Sequence, residues 1–308
     1  MSSWRPFPRI LLLALLLLGC GGHAHADASQ LKAVATFSIL GDLVAQVGGD
    51  RVAVTTLVQP NADAHGYTPA PSDARTLAEA RIVVVNGLGL EGWIDRLIKA
   101  SGTRAPVVVA SAGIKPIEAS DDDHGHAHAH GHHDDPHAWQ NVANVKRYVA
   151  NIRDALARVD PEHAGTYADN AKSYLATLDG LDAQVRAAIA AIPSAQRRVI
   201  TTHDAFGYFT AAYGLKFIAP QGVSTDSEAS PRDVARIIRQ IRQEKVPAVF
   251  LENIADPRLM QQIARESGAA IGGKVFSDAL SGPEGPAPNY VAMMRNNVSA
   301  FTAALSKP

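Results

Sequence analysis

From Leu31 onward the chain alternates short β-branched runs with longer stretches whose apolar residues recur every three or four positions. That alternation is the pattern of parallel α/β units, in which a helix carries the chain from one strand to the next. In the first half, strands are predicted over residues 32–36, 52–57, 81–86 and 106–110, and helices over residues 39–47, 72–80 and 91–100. Ser72, just ahead of Asp73, has the chemistry of a helix N-cap. The second half repeats the scheme, with strands over 197–202, 216–219, 246–252 and 270–275 and helices over 205–213, 231–244, 257–267 and 289–305. Pro231 and Pro257 stand where the first turn of a helix tolerates proline. The fold class that follows is α/β, built as two lobes with parallel sheets.

Between the halves the helical pattern is almost unbroken. A helix over residues 142–159 stops at Asp160-Pro161, and a second is predicted over 162–192, ending at Pro193. Its apolar or small face comprises Ala164, Tyr167, Ala171, Tyr174, Leu175, Leu178, Leu181, Val185 and Ile189. Some thirty helical residues span roughly 45 Å, enough to run along both lobes as one rigid connector. The expected organisation is a signal peptide over 1–26, a first lobe over 27–160, the linking helix over 161–192 and a second lobe over 193–308.

Composition narrows the function classes. With 308 residues, 46% apolar and 19% charged, the chain can bury substantial cores. A net charge of −1 supplies no basic field for nucleic acid. Arg5 and Arg9 precede or flank the apolar run from Ile10 to Leu18, which has signal-peptide length and is too short to span a bilayer. Ala24-His25-Ala26 then offers a cleavage site that releases a periplasmic protein. Leu17-Leu18-Gly19-Cys20 offers the alternative, a lipoprotein acylated at Cys20. Cys20 is the only cysteine, so the fold has no internal disulfide and any metal site is free of thiolate.

Four polar residues carry the candidate chemistry: His65, His137, His203 and Asp278. Each reads as following a strand-like run, hence as lying at the carboxyl edge of a sheet, where α/β proteins bind ligands. Three imidazoles and one carboxylate make a complete nitrogen and oxygen donor set for Zn²⁺. Asp278 also fits a helix N-cap, and that alternative stays open. Residues 121–135 are of low complexity, with His124, His126, His128, His130, His132 and His133 among five aspartates. Such a segment is expected to form a mobile loop and an auxiliary, weak metal-capture site. His163 reads as an ordinary satisfied histidine. Gly87-Leu88-Gly89-Leu90-Glu91-Gly92 reads as a strand-to-helix turn, because no Lys-Ser/Thr follows it as in a phosphate loop. Trp93, Trp139, Phe206 and Tyr208 read as packing around a cleft.

Several motifs together resemble the metal-binding solute receptors of ABC importers. In the first half they are Asp63-Ala64-His65-Gly66-Tyr67-Thr68-Pro69, Asn86-Gly87-Leu88-Gly89-Leu90-Glu91-Gly92-Trp93 and Asp135-Pro136-His137-Ala138-Trp139. The second half contributes Thr202-His203-Asp204-Ala205-Phe206-Gly207-Tyr208-Phe209, Ser224-Thr225-Asp226-Ser227-Glu228-Ala229-Ser230-Pro231 and Ser277-Asp278-Ala279-Leu280. The resemblance implies two α/β lobes bridged by one long helix, with the metal in the cleft. It also implies that His65 and His137 bind from the first lobe and His203 and Asp278 from the second. In that family the third ligand divides zinc members, with His, from manganese and iron members, with Glu, so His203 points to zinc. One departure is Ala64, where the family often has proline.

The expected role is thus an extracytoplasmic Zn²⁺ receptor, not an enzyme. It is expected to work as a monomer that delivers zinc to an ABC permease with its cytoplasmic ATPase, with a periplasmic zinc chaperone as a further partner. Two alternatives are a Mn²⁺ or Fe²⁺ receptor of the same family and a zinc hydrolase with Asp278, Glu228 or Asp204 as base. Because the connector reads as continuous helix, metal release is expected to involve local loop ordering around His65 and His137 more than a wide hinge closure, with the segment Asp63-Ala64-His65-Gly66 as the moving part.

Overall fold

A computed structural model describes Met1 and residues 30–119 and 134–306. Its first sheet contains β1 (Leu31–Phe37), β2 (Val52–Val58), β3 (Ile82–Val85) and β4 (Val107–Val109), all parallel, in the order β2-β1-β3-β4. The second contains β5 (Arg198–Ile200), β6 (Lys216–Ile218), β7 (Ala248–Glu252) and β8 (Ala270–Val275), again parallel, in the order β6-β5-β7-β8. Both orders double back at the middle of the sheet. The carboxyl ends of such strands open into a crevice there, because neighbouring connections leave toward opposite faces. The expected two-lobe, all-parallel α/β fold is therefore present.

Helices α1 (Ser38–Gly48), α2 (Pro71–Glu79) and α3 (Ile94–Ser101) connect the first sheet, and α4 (Val142–Val159) follows it. In the second half come α6 (Gly207–Tyr213), α7 (Pro231–Glu244), α8 (Arg258–Ser267) and α9 (Tyr290–Leu305). Two sequence expectations at helix starts need correction. Ser72 lies inside α2, whose N-cap is Ala70; Asp73 reaches back to accept the Ala70 N–H at 2.6 Å, the reciprocal half of a capping box that an alanine cap still allows. The connector is α5 (Ala164–Ala190), 27 residues or roughly 40 Å, and not one helix from 162 to 192. Pro161–His163 winds instead as a 3₁₀ turn, tightened by Asp160 accepting from the His163 ring and the Tyr167 hydroxyl.

The buried face of α5 is Tyr167, Ala171, Tyr174, Leu178, Leu181, Val185 and Ile189. It packs on α1 and α4 at one end and on α6 and α9 at the other. One apolar core accordingly runs through both lobes, from Val34 and Ile39 through Leu178 to Phe250 and Phe301. A second, smaller core lies under α7 and α8, where Ile237, Ile241, Met260 and Ile263 cover the outer face of the second sheet. Among the described residues no helix is long and apolar enough to cross a membrane.

Because α5 belongs to both lobes' packing, damage to its buried face destabilises the molecule as a unit. Leu178→Ala is expected to cost about 2–5 kcal/mol, while Lys172→Ala on the exposed face stays within about 0.5 kcal/mol. Urea unfolding followed by tryptophan fluorescence and by circular dichroism should show one coincident transition. Separate transitions for the two probes would contradict a shared core.

Candidate metal centre

The His65 segment leaves β2 through Gln59-Pro60-Asn61. Asn61 has φ +59°, a left-handed conformation that asparagine tolerates better than most residues. Two residues before the ligand position, Asp63 accepts the His65 N–H at 2.9 Å, and the Trp93 indole donates to the Ala64 carbonyl at 2.9 Å. The same Asp-x-His device recurs in the next segment. Asp135 accepts the His137 N–H at 2.9 Å, but it also accepts from the ring Nδ1 at 2.7 Å. That leaves Nε2 of His137 facing the cleft, the tautomer and orientation that a metal ligand requires.

His203 follows β5, and Glu252 at the end of β7 holds it. Glu252 accepts from the Thr202 and His203 N–H groups at 2.7 and 3.1 Å, from His203 Nδ1 at 2.5 Å and from the Ser277 hydroxyl at 2.9 Å. Asp278 lies three residues past β8. Its neighbour Ser277 offers a carbonyl that accepts from the Trp139 indole at 2.9 Å and from Gln140 Nε2 at 2.8 Å, both from the first lobe. In α9, Asn297 clamps both the N–H and the carbonyl of Phe276.

These four segments bring one donor atom each from His65, His137, His203 and Asp278 within 4.8 Å of one another. His65 Nε2 is 3.2 Å from His137 Nε2. Asp278 Oδ2 lies 3.4 Å from His65 Nε2 and 3.0 Å from His203 Nε2, and Oδ1 lies 3.6 Å from His137 Nε2. His137, His203 and Asp278 are fully buried, and the His65 side chain is 5% exposed. His203 Nε2 and both Asp278 oxygens have no hydrogen-bond partner, so the close contacts among them are electrostatic. Buried polar atoms left in this way are costly, and their convergence with the Nε2 atoms of His65 and His137 fits a cation as the common partner.

The electrostatics agree. Burial alone would push the Asp278 carboxyl up, but the charges of His203 and His137 outweigh it and hold the group well below the usual carboxylate range. Burial disfavours charge on His137 too, yet Asp278 and the hydrogen bond to Asp135 raise it to about 9. His203 is likewise held well above the usual imidazole range, against burial, by Glu252 and Asp278. Without a metal, protons supply the positive charge that the buried carboxylate needs.

The four residues that the sequence singles out converge in the structure, and three details differ from expectation. His137 does not follow a strand end; it stands between an isolated bridge, Glu118 to Asp134, and the 3₁₀ turn Ala138–Gln140 that leads into α4. Asp135 does not belong to a mobile loop, being 3% exposed and bonded to His137. The helix start near Asp278 is capped by Asn289, whose side chain accepts the Ala292 N–H, so Asp278 is free of that duty. The six histidines from 124 to 133 lie outside the described residues. Glu228 is exposed, and Asp204 is not in the cluster. His163 is occupied by Asp160.

Two supporting carboxylates escaped the sequence reading as site residues. Glu252 was readable only as the last residue of a strand, although a carboxylate closing Ala248-Val249-Phe250-Leu251 is an unusual choice for a buried edge. Glu91 sits under the glycine turn, accepting from the Thr36 hydroxyl and the Asn86 and Gly87 N–H groups, with burial raising its pKa. Asn86 in turn donates to the Pro136 carbonyl at 2.9 Å, beside His137. The glycine stretch is thus the strand-to-helix turn expected of it, with Gly87, Leu88 and Gly89 all at positive φ.

Comparison with known proteins points the same way. Residues 33–304 match the family described as zinc-uptake complex component A, periplasmic. The chain is 35% identical over 303 residues to the manganese-binding lipoprotein MntA of Halalkalibacterium halodurans, covering 97% of each chain. It is 33% identical over 274 residues to the iron-binding protein YfeA of Yersinia pestis, covering 89% of this chain and 86% of the relative. Among solved structures, the periplasmic zinc-binding protein TroA of Treponema pallidum superposes with a TM-score of 0.83 at 29% identity, over 90% of this chain and all of that one. With this extent of match, its two parallel-sheet lobes and its four converging donors, the chain belongs to the zinc-uptake component A family, the metal-binding substrate receptors of ABC transporters.

Proposed function

We propose that this protein is an extracytoplasmic Zn²⁺ receptor, holding the ion between His65, His137, His203 and Asp278 and delivering it to an ABC permease. The observation that carries this reading is the donor set. Three imidazole nitrogens and one carboxylate, converging within 4.8 Å of one another, match the ligand preferences of Zn²⁺ better than those of the harder Mn²⁺. A shell that the protein itself completes suits holding and handing over; a hydrolase would keep one position open for water.

A second reading, Mn²⁺ or Fe²⁺ as substrate, draws on a specific feature. Both oxygens of Asp278 face the cluster with no other partner, so the carboxylate can chelate and raise the coordination number above four. The manganese and iron names of two relatives agree with it. Competition between Zn²⁺ and Mn²⁺, together with metal analysis of protein from its native compartment, decides between the two.

At the N-terminus, release after Ala26 and acylation of Cys20 remain the two processing outcomes. The lipoprotein name of the MntA relative supports the anchored form, and the mass of the mature protein distinguishes them. The histidines from 124 to 133 are assigned weak, exchangeable capture that feeds the cleft.

Titration calorimetry with Zn²⁺ tests the site. His203→Ala should lose orders of magnitude in affinity, and Glu252→Gln, which disturbs only the support of His203, about 10–100-fold. Parent-like affinity in His203→Ala would refute the ligand set. Deleting residues 120–133, and so sparing Asp135, should leave the tight site intact while removing weaker ones; loss of the tight site would show that the segment helps to build the cleft.

The pH dependence follows from His137. Its pKa rises from 6.5 in the unfolded reference to about 9 in the metal-free fold. Its contribution to stability is therefore complete below about pH 6.5 and is lost as pH rises through about 9. Metal binding requires the neutral ring, so it releases protons, and affinity falls as pH drops. The thermal midpoint of the metal-free protein should decline between pH 7 and 10, and Asp278→Asn should flatten that decline. A His137 pKa at or below 6.5 by NMR of the metal-free protein would overturn this account.

A further inference from the structure

The four donors are not restrained alike. His137 and His203 each have a buried carboxylate on Nδ1 from their own lobe, Asp135 and Glu252 respectively. Asp278 is flanked by Ser277, whose carbonyl is gripped by two buried side chains of the first lobe, Trp139 and Gln140, while the Tyr290 hydroxyl donates to the Trp139 carbonyl. Among the described residues no carboxylate takes Nδ1 of His65. What fixes His65 is its main chain, through Asp63 Oδ1.

The other oxygen of Asp63 looks across the cleft. Oδ2 accepts from the Thr225 hydroxyl at 2.6 Å, and Thr225 sits in the loop between β6 and α7 of the second lobe. The same segment is stitched to that lobe at Asn61, whose N–H donates to the Leu280 carbonyl at 2.9 Å and whose side-chain oxygen accepts from Asn253 at 3.2 Å. The loop that carries His65 therefore belongs to the first lobe by sequence but takes several of its restraints from the second. The Asp63–Thr225 bond is only part-buried, at the cleft's more open side, whereas the Trp139 and Gln140 bonds to Ser277 are fully buried. Water competes for the first and not for the second, so lobes parting at the mouth break the Asp63–Thr225 bond while the inner contacts still hold.

We propose that Asp63 is a positioning residue that couples the lobes to the metal: its carboxylate ties His65 to Thr225, so that loss of this one interlobe bond frees His65 ahead of the other three donors. The proposal rests on the four-ligand reading above and deepens it by naming the donor that leaves first. A permease that pulls the Thr225 loop aside would thereby open the shell without dismantling the buried carboxylate supports. With no carboxylate on Nδ1, the His65 ring follows its main chain, so a shift of this loop carries the donor with it.

The test is the rate of Zn²⁺ transfer from the full-length protein to a chromophoric chelator, with circular dichroism melts as a control on folding. Thr225→Val and Thr225→Ala should both raise the dissociation rate about tenfold or more, the scale of one hydrogen bond to a charged group, and Thr225→Ser should restore it. In a His65→Ala background, Thr225→Val should change the zinc dissociation constant less than twofold, because its effect runs through His65. A parent-like rate in both Thr225 variants would overturn the coupling, as would an undiminished effect in the His65→Ala background. His203→Ala is run alongside: parent-like affinity there refutes the ligand set itself, whereas a lost site there with unchanged Thr225 variants refutes only the coupling.

Discussion

A carboxylate with no exposed surface and no hydrogen-bond partner sits where two lobes meet, and the rest of this structure is arranged around it. Placing a charge such as that of Asp278 in a protein interior is expensive unless positive charge is supplied at close range. Here His137 and His203 supply it as imidazolium without metal, and a cation held among all three histidines and the carboxylate supplies it otherwise. The donors come from both lobes, so the interaction that compensates Asp278 is also one that holds the lobes together.

The carboxylates behind the ligands explain why the site needs so much of the fold. Asp135 and Glu252 consume the Nδ1 positions of two histidines and turn their Nε2 atoms to the cleft. Glu252 also anchors the main chain at Thr202 and the Ser277 hydroxyl, so one residue at the end of β7 fixes the endings of three strands. On the first-lobe side, Glu91, Asn86 and Tyr148 form a buried chain of hydrogen bonds that ends on Pro136, next to His137. Each network satisfies main-chain groups freed where strands stop and turns begin, and in doing so it sets a side chain's direction.

Against this rigid background the His65 loop differs in kind. Its ring has no carboxylate behind it, and its support divides between Trp93 in the first lobe and Thr225, Asn253 and Leu280 in the second. A receptor must hold its ion and also give it up. Unequal restraint meets both needs, with three donors kept in place by buried bonds and one tied across the lobes by a part-buried bond.

Much of this was legible in the chain by itself. Alternating strand and helix patterns determined the two parallel lobes, because the periodicity of burial is local and each element carries its own. The apolar stripe from Tyr167 to Ile189 determined the connector for the same reason, and strand ends and short motifs around His65, His137, His203 and Asp278 marked the candidate donors because such segments are made by neighbours in sequence. The tertiary structure alone decided what touches across distance. That Glu252 stands behind His203, that Trp139 grips Ser277 and that Asp63 reaches Thr225 depend on strand order and on how two sheets meet, with partners 49, 138 and 162 positions apart. It decided, too, that Asp135 leaves the histidine-rich tract to join the site, since composition over fifteen residues describes an average, and burial is a property of one side chain's surroundings.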